Sequence, residues 1–283
     1  MVSLSTFRPE HIPALYDLYV AQTAGLPHCL LSSQVRFAVD LTRPEVGQIL
    51  VAEAEGPVAG FAVLRAVTDD QDREADAVTA LFFVDEVAGA ALLEACVQRA
   101  RSGPVLAFPQ AHGNAPVQGY NAGWDGLSDR LSVQARLLAQ CGFVPYYREL
   151  LLACDLDGEV GEARVSDEVA FEGGASEHGG FRQRAWLGGE RVGLCLYATT
   201  AANSDDPRAA RTGYVHWLWT DEATRRRGVA RELMLRALVH LRSLGCERCW
   251  LGTGADNWPA QTLYLALGFV VVDSTVSFLR RER

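Results

Sequence analysis

The sequence predicts an α/β (α+β) protein built from two tandem domains, and three observations carry that reading. At 283 residues and 30.8 kDa the chain exceeds one ordinary domain, and its 49% hydrophobic content supplies cores instead of a disordered polymer. Strand-like and helix-periodic stretches interleave along its whole length. A Gly-rich, acidic stretch of low periodicity at Asp155–Gly180 separates an earlier run of such elements from a later one. The expected domains are therefore 1–155 and 156–283.

In the first half, Phe7–His11 closes a short strand and opens a helix with an apolar face of Ile12, Leu15, Leu18 and Tyr19. A second helix covers part of Ser32–Leu41, before Pro44. Ile49–Glu53 and Val58–Val67 form a hairpin around Glu55-Gly56-Pro57, and the charged turn Asp69–Asp76 leads to a strand at Ala77–Val84. A helix over Val87–Arg101 ends near Gly103-Pro104. Val105–Phe108 is a strand, a Gly/Asn-rich loop runs to Gly126, Leu127–Gln140 is helical and Tyr146–Cys154 is a strand. Beyond the join, Phe181–Leu187 and Arg191–Thr199 form a hairpin across Gly188-Gly189. The strand Tyr214–Thr220, a helix to Leu244, the strand Cys246–Thr253, the helix Pro259–Leu267 and the strand Val270–Arg280 follow.

Composition excludes several classes of function. A net charge of −9 with no extended basic stripe argues against a nucleic-acid partner and is mildly compatible with an amine substrate. Seven cysteines without regular spacing read as reduced, buried thiols of a cytoplasmic protein. Cys246 and Cys249 imitate a CxxC pair, but no second pair follows and no metal is expected. Neither a secretory leader nor an apolar run of membrane-spanning length is read in the chain.

The chemistry centres on Thr220–Leu244. An aromatic, β-branched strand passes through a polar turn and an arginine cluster into a helix with Leu233, Ala237, Leu241 and Leu244 on its apolar face. The unpaired N–H groups of a first helical turn, together with the peptide dipoles, make an anion site there. Gly228 and Ala230 let an anion come close to the backbone. Arginines are electrostatically misplaced at a helix N-terminus unless an anion joins them.

The run Arg225-Arg226-Arg227-Gly228-Val229-Ala230 resembles the acyl-CoA pyrophosphate loop of the GCN5-related N-acetyltransferases (GNAT). Asn257-Trp258-Pro259-Ala260 through Tyr264 to Gly268-Phe269 resembles the second block of that family, at the expected distance. The resemblance implies two tandem acyl-CoA N-acyltransferase folds, each a mixed, mostly antiparallel sheet flanked by helices. The first half then looks like a degenerate copy, because Asp85 and Glu86 stand where a pyrophosphate would be repelled. The second copy lacks its first helices, with only the short join before Phe181. The expected chain is a monomer with a pseudo-dimeric domain pair, acting on a small-molecule or peptide amine, with no membrane partner.

The resemblance also implies residue roles. Acetyl-CoA would be held by Trp219 and Thr220 along the strand, by Arg225, Arg226 and Arg227, by the backbone of Gly228, Val229, Ala230 and Arg231, and by Asn257. Tyr264 would be the general acid toward the CoA thiolate. No family position fixes the base: Glu222 is the candidate by its nearness in sequence to the strand and loop, with His216, Glu190 and water left open. Trp217, Trp219, Tyr120 and Trp124 are the candidate acceptor contacts, with the Gln110–Trp124 loop and the Trp217–Trp219 strand expected to share the acceptor. The alternative reading from a different class is a non-catalytic acyl-CoA sensor or scaffold.

Overall fold

The computed structural model describes residues 2–43, 46–68, 73–101, 103–109, 126–158, 165–177 and 179–280. It divides into two compact units. One comprises Met1–Glu149, Asn203–Asp205 and Asp273–Arg283, and the other Leu150–Ala202 and Asp206–Val272. No helix among the described residues is long and apolar enough to cross a membrane.

The first unit runs β1 (Val2–Thr6), α1 (Ile12–Thr23), α2 (Gln34–Leu41), β2 (Gln48–Ala54), β3 (Val58–Thr68), β4 (Glu74–Phe83), α3 (Glu86–Arg99), β5 (Val105–Ala107), β6 (Leu127–Ser128) and α4 (Ser132–Gln140), then enters β7 (Val144–Asp155). Strands β1 to β4 pair antiparallel in order, and β5 lies parallel to β4. The final strand, β13 (Val270–Arg280), adds its end antiparallel to β5. Helix α1 buries Leu15, Tyr19 and Thr23, which recur every fourth residue. Helix α2 starts cleanly because the Ser33 hydroxyl accepts from the Arg36 N–H. Together they lay Tyr19 and Phe37 over Phe82 and Phe61 of the sheet, with ring centroids 6.1 Å and 6.3 Å apart.

The region expected to be helical from Leu127 departs from that expectation. Leu127 and Ser128 instead pair with Val276 and Thr275 of β13, and the helix begins at Ser132. Tertiary pairing overrides local periodicity here. The Ser128 hydroxyl donates to buried Asp273 at 2.7 Å, and the same carboxylate lies 3.0 Å from His28.

The second unit contains β8 (Val169–Ala175), β9 (Phe181–Leu187), β10 (Glu190–Thr199), β11 (Thr212–Thr220), α5 (Val229–Ser243), β12 (Arg248–Gly254) and α6 (Trp258–Leu265), and it takes residues 150–155 of β7. The stretch read as a short join, periodic only at Val165–Phe171 and lacking a strand and two helices, holds the strand, and this corrects that part of the sequence reading. β8 pairs with β9 along its full length, from Val169↔Leu187 to Ala175↔Phe181. Gly173 and Gly174 hide its two-residue alternation, and a Cβ at Gly173 would stand 2.9 Å from the Gln183 amide. Only residues 176–180 separate β8 from β9, and no helix stands between these strands among the described residues.

The units repeat one another to the level of single residues. In each, the third strand carries a glycine against which the following helix rests. A Cβ on Gly60 would meet Leu92 at 2.9 Å, and one on Gly193 would meet Leu233 at 2.8 Å. Three residues on, the pairing to the fourth strand slips by one. Val63 faces Ala80 while Leu64 faces Val78, and Leu196 faces Trp217 while Tyr197 faces Val215. Thr79 and His216 are thus equivalent β-bulges.

Burial pushes the Glu149 carboxyl of β7 up to about 7 from its ordinary 4.5. A folded-state value above the unfolded one means that the native state binds the extra proton. The cost of ionising this group is absent below about pH 4.5, grows as the pH rises and is complete above about 7. Glu149→Gln is therefore expected to leave stability unchanged near pH 4 and to raise it at pH 8, by at most about 3 kcal/mol. Melting curves at both pH values test this; an equal shift at the two would refute it.

Candidate active site

The site is built where β11 ends and α5 begins. Helix α5 buries Leu233, Met234, Ala237, Leu238 and Leu241 on one stripe, and each such leucine contributes roughly 1.5–3 kcal/mol of apolar burial. Two glycines on adjacent strands let it sit close to the sheet. Gly193 lies under Leu233 and Val229, and Gly213 under Leu241, whose Cδ1 stands 2.6 Å from where a Cβ would be. The connecting loop is fixed from within. The Asp221 N–H donates to Val192 O at 2.9 Å, its carboxylate accepts from Ala223 N, and the Thr224 hydroxyl donates to Asp221 O at 3.0 Å.

The loop ends in two left-handed residues, Arg226 at φ 63° and Gly228 at φ 81°. Gly228 is the N-cap of α5, and no side chain caps that helix. Its first N–H groups are left for another acceptor. The contrast with the first unit is direct. Asp85 caps α3 there, accepting from Ala88 N at 2.9 Å, and Glu86 follows in the first turn. One copy fills the anion position with its own carboxylate, and the other leaves it open.

The arginines around this terminus differ in their commitments. Arg225 lies 3.3 Å from Glu222, an exposed pair of little energetic consequence. Arg231 donates to Ala266 O at 3.3 Å and so ties α5 to the end of α6. Arg226 and Arg227 are exposed and make no ion pair among the described residues.

The bulge at His216 decides where the β11 side chains point. Directly opposed residues in antiparallel strands share a face. Val215 therefore shares the α5 face with Tyr197, whose hydroxyl bonds to His240 of α5, whereas Trp217 and Trp219 share the opposite face with Leu196 and Leu194. Unbroken alternation would have put both tryptophans beneath α5. They are instead 51% and 37% exposed. The parallel ladder between β11 and β12 stops at Val215↔Leu251, so 217–220 pair with β10 alone and leave an open strand edge.

Helix α6 contributes the remaining groups. The Asn257 side chain caps it by accepting from Ala260 N, and the Gln261 amide donates to Gly254 O and Ala255 O, fixing the approach from β12. Tyr264 is buried, and its phenol is pushed up by desolvation, with the neighbouring Cys195 adding to the shift. Cys195 faces Leu218 of β11 on the α5 side of the sheet, the side to which Tyr264 is thereby assigned. Tyr264 makes no side-chain hydrogen bond among the described residues, and its hydroxyl is not among the sealed, unsatisfied polar atoms. Burial pushes the Cys195 thiol itself up to about 12, so it stays protonated.

Of the residues singled out in sequence, Trp217, Trp219, Thr220, Arg225 through Arg231, Asn257 and Tyr264 all fall in the second unit, between the end of β11 and α6. Glu222 is there too, 88% exposed at its side chain. His216 reaches solvent at the bulge, yet the protein around it pushes its imidazole down to about 4. Tyr120 and Trp124, with most of their loop, lie outside the described residues. The bulge itself was missed in sequence; its only signal was an aromatic run too long for simple alternation. No group of three His, Cys, Asp or Glu side chains is gathered as a metal set among the described residues.

A mixed sheet with flanking helices, a parallel fourth and fifth strand that part, and an uncapped helix after the fourth define the class. The protein has the GNAT acetyltransferase fold. Residues 146–269, which span most of the second unit, match the family described as Acetyltransferase (GNAT) family. The chain is 28% identical over 300 residues to a mycothiol acetyltransferase of Nocardia farcinica, covering 95% of this chain and 94% of that one. It is similar in structure to a tandem GNAT protein from the clavulanic acid biosynthesis pathway, with TM-score 0.68, 14% identity, and 99% and 98% of the two chains covered. It is also similar to a GCN5-related glucosamine N-acetyltransferase region of a fungal multi-domain GH3 β-N-acetylglucosaminidase, with TM-score 0.71 and 12% identity. That match takes in 99% of this chain and spans 38% of the fungal one.

Proposed function

We propose that the chain moves the acetyl group of acetyl-CoA to a primary amine by direct attack in a ternary complex, using one cofactor site, in the second unit. The observation that carries this is the uncapped N-terminus of α5 beside three arginines, set against the self-capped α3. On this reading the chain is a pair of acyltransferase folds, 1–155 and 156–283, the first degenerate at its anion site and the second without its first helices.

Bound acetyl-CoA supplies an activated acyl thioester. The N–H groups of Gly228, Val229, Ala230 and Arg231 accommodate pyrophosphate oxygens, and Arg225, Arg226 and Arg227 add charge-assisted hydrogen bonds. The open edge at Trp219 and Thr220 pairs with the pantetheine amides, and the Asn257 amide reaches the same arm. As the amine nitrogen bonds to the acyl carbon and the carbon–sulfur bond breaks, Tyr264 gives its proton to the departing sulfur. Its raised pKa keeps it protonated throughout the working range. The amine surrenders its own proton to water. Glu222 is solvated and faces Arg225, Glu190 is exposed at the start of β10, and the His216 imidazole is a weakened base, so none of the three is placed ahead of water.

The likeness to a mycothiol acetyltransferase makes the unacetylated form of mycothiol the first acceptor to test. Calorimetric titration of the whole chain is expected to give one acetyl-CoA per chain, and addition of a suitable amine to release free thiol over many turnovers. Two equivalents, or none, would overturn the single-site reading.

A further inference from the structure

The residue-by-residue repeat allows one face of the strands in each unit to be compared position for position. In the first unit, two cross-strand rows lie opposite α3: Val51, Phe61 and Phe82 in one, and Ile49, Val63 and Ala80 in the other. All six are buried, with Tyr19 and Phe37 of α1 and α2 against Phe82 and Phe61. Aligned on Gly60 and Gly193 and on the two bulges, the same rows in the second unit read Arg184, Leu194, Trp219 and Arg182, Leu196, Trp217. None of these six is buried. Among the described residues, no helix stands between β8 and β9 to cover them.

An apolar face that had merely lost its helices would remain a stripe of aliphatic side chains. Here the outer strand of each row carries an arginine and the inner strand an exposed tryptophan, with leucines between. The arginines are lightly committed. Arg182 donates to Ala175 O, and Arg184 stands 3.8 Å from the exposed Glu177 and across from Glu172 without an ion pair to it. A guanidinium has five donors, so most remain available. The Nε of Arg184 is buried without an acceptor among the described residues, a cost that calls for an explanation beyond folding.

We propose that this face is the acceptor platform, and that the acceptor is an amine with a ring or similarly flat body and an anionic group, carboxylate or phosphate. The proposal rests on the acetyltransfer reading above. The body lies on Trp217, Trp219 and the two leucines, with its amine at the open edge of β11. Its anion meets Arg182 and Arg184 two strand spacings away, about 10 Å across the sheet. Tryptophan faces suit flat partners, and paired guanidinium forks suit oxyanions.

The test is a binding measurement on the whole chain that requires no turnover. Tryptophan fluorescence is followed with 4-phenylbutyrate and its neutral amide, and with glucosamine 6-phosphate and glucosamine; the two pairs separate a carboxylate from a phosphate source. At least one anionic member is expected to bind 10-fold or more tightly than its neutral partner. That preference is expected to vanish in the Arg182→Gln/Arg184→Gln double variant while acetyl-CoA binding stays intact. Equal binding within both pairs, no binding at millimolar concentration, or a preference surviving the double variant would each overturn the platform. Loss of acetyl-CoA stoichiometry in the unaltered chain would instead strike the underlying reading.

Discussion

Gly228→Glu is expected to weaken acetyl-CoA binding at least 100-fold, measured by calorimetry on the folded variant. Two effects add. The residue sits at φ 81°, which a side chain occupies at a cost of about 1 kcal/mol. The new carboxylate also stands at the N-terminus of α5, where it can cap the free N–H groups as Asp85 caps α3. Self-capping stabilises the helix and excludes the anion, so the melting temperature should change far less than the affinity. Gly228→Asn tolerates the left-handed region and brings no charge but can still cap the helix. It is expected to weaken binding less than Gly228→Glu does, the difference measuring the effect of the charge. If Gly228→Glu binds acetyl-CoA as the unaltered chain does, α5 is not the pyrophosphate site.

Tyr264→Phe is expected to lower kcat about 100-fold or more and leave acetyl-CoA affinity within twofold. General acid groups contribute roughly 10²–10⁴ in rate, and this one lies buried with its hydroxyl unengaged by the described residues. The ring packs 6.0 Å from Phe269, and phenylalanine preserves that contact. The fold should therefore survive, and a lowered melting point would not accompany the loss of rate. Because burial holds the phenol above its ordinary value, no loss of activity from its ionisation is expected up to pH 10. An unchanged kcat would remove Tyr264 from the chemistry and leave solvent to protonate the thiolate.

Much of this was legible from local sequence. The strand, arginine-glycine loop and helix at 214–244 needed only periodicity, a glycine and the electrostatics of a helix terminus to announce an anion site. Asn257 as a cap and Asp85 as a barrier to phosphate followed from the same short-range rules, which act within one turn of chain. Even the extents of α1, α3 and α5 were set by apolar spacing of three and four residues.

What tertiary structure alone decided involves residues far apart in sequence. Leu127 and Ser128 become a strand because Val276 and Thr275, 149 and 147 positions further along the chain, pair with them. β8 is a strand because β9 lies alongside, although its glycines erase the alternation that would reveal it. The orientation of Trp217 and Trp219 turns on a single extra residue, His216, whose presence as a bulge is defined only by the register of β10. Sequence pointed to an anion-binding loop and to the copy that carries it, because charge and backbone freedom are local. The face presented to the acceptor was decided by strand pairing, because a one-residue slip sends every following side chain to the other side of the sheet.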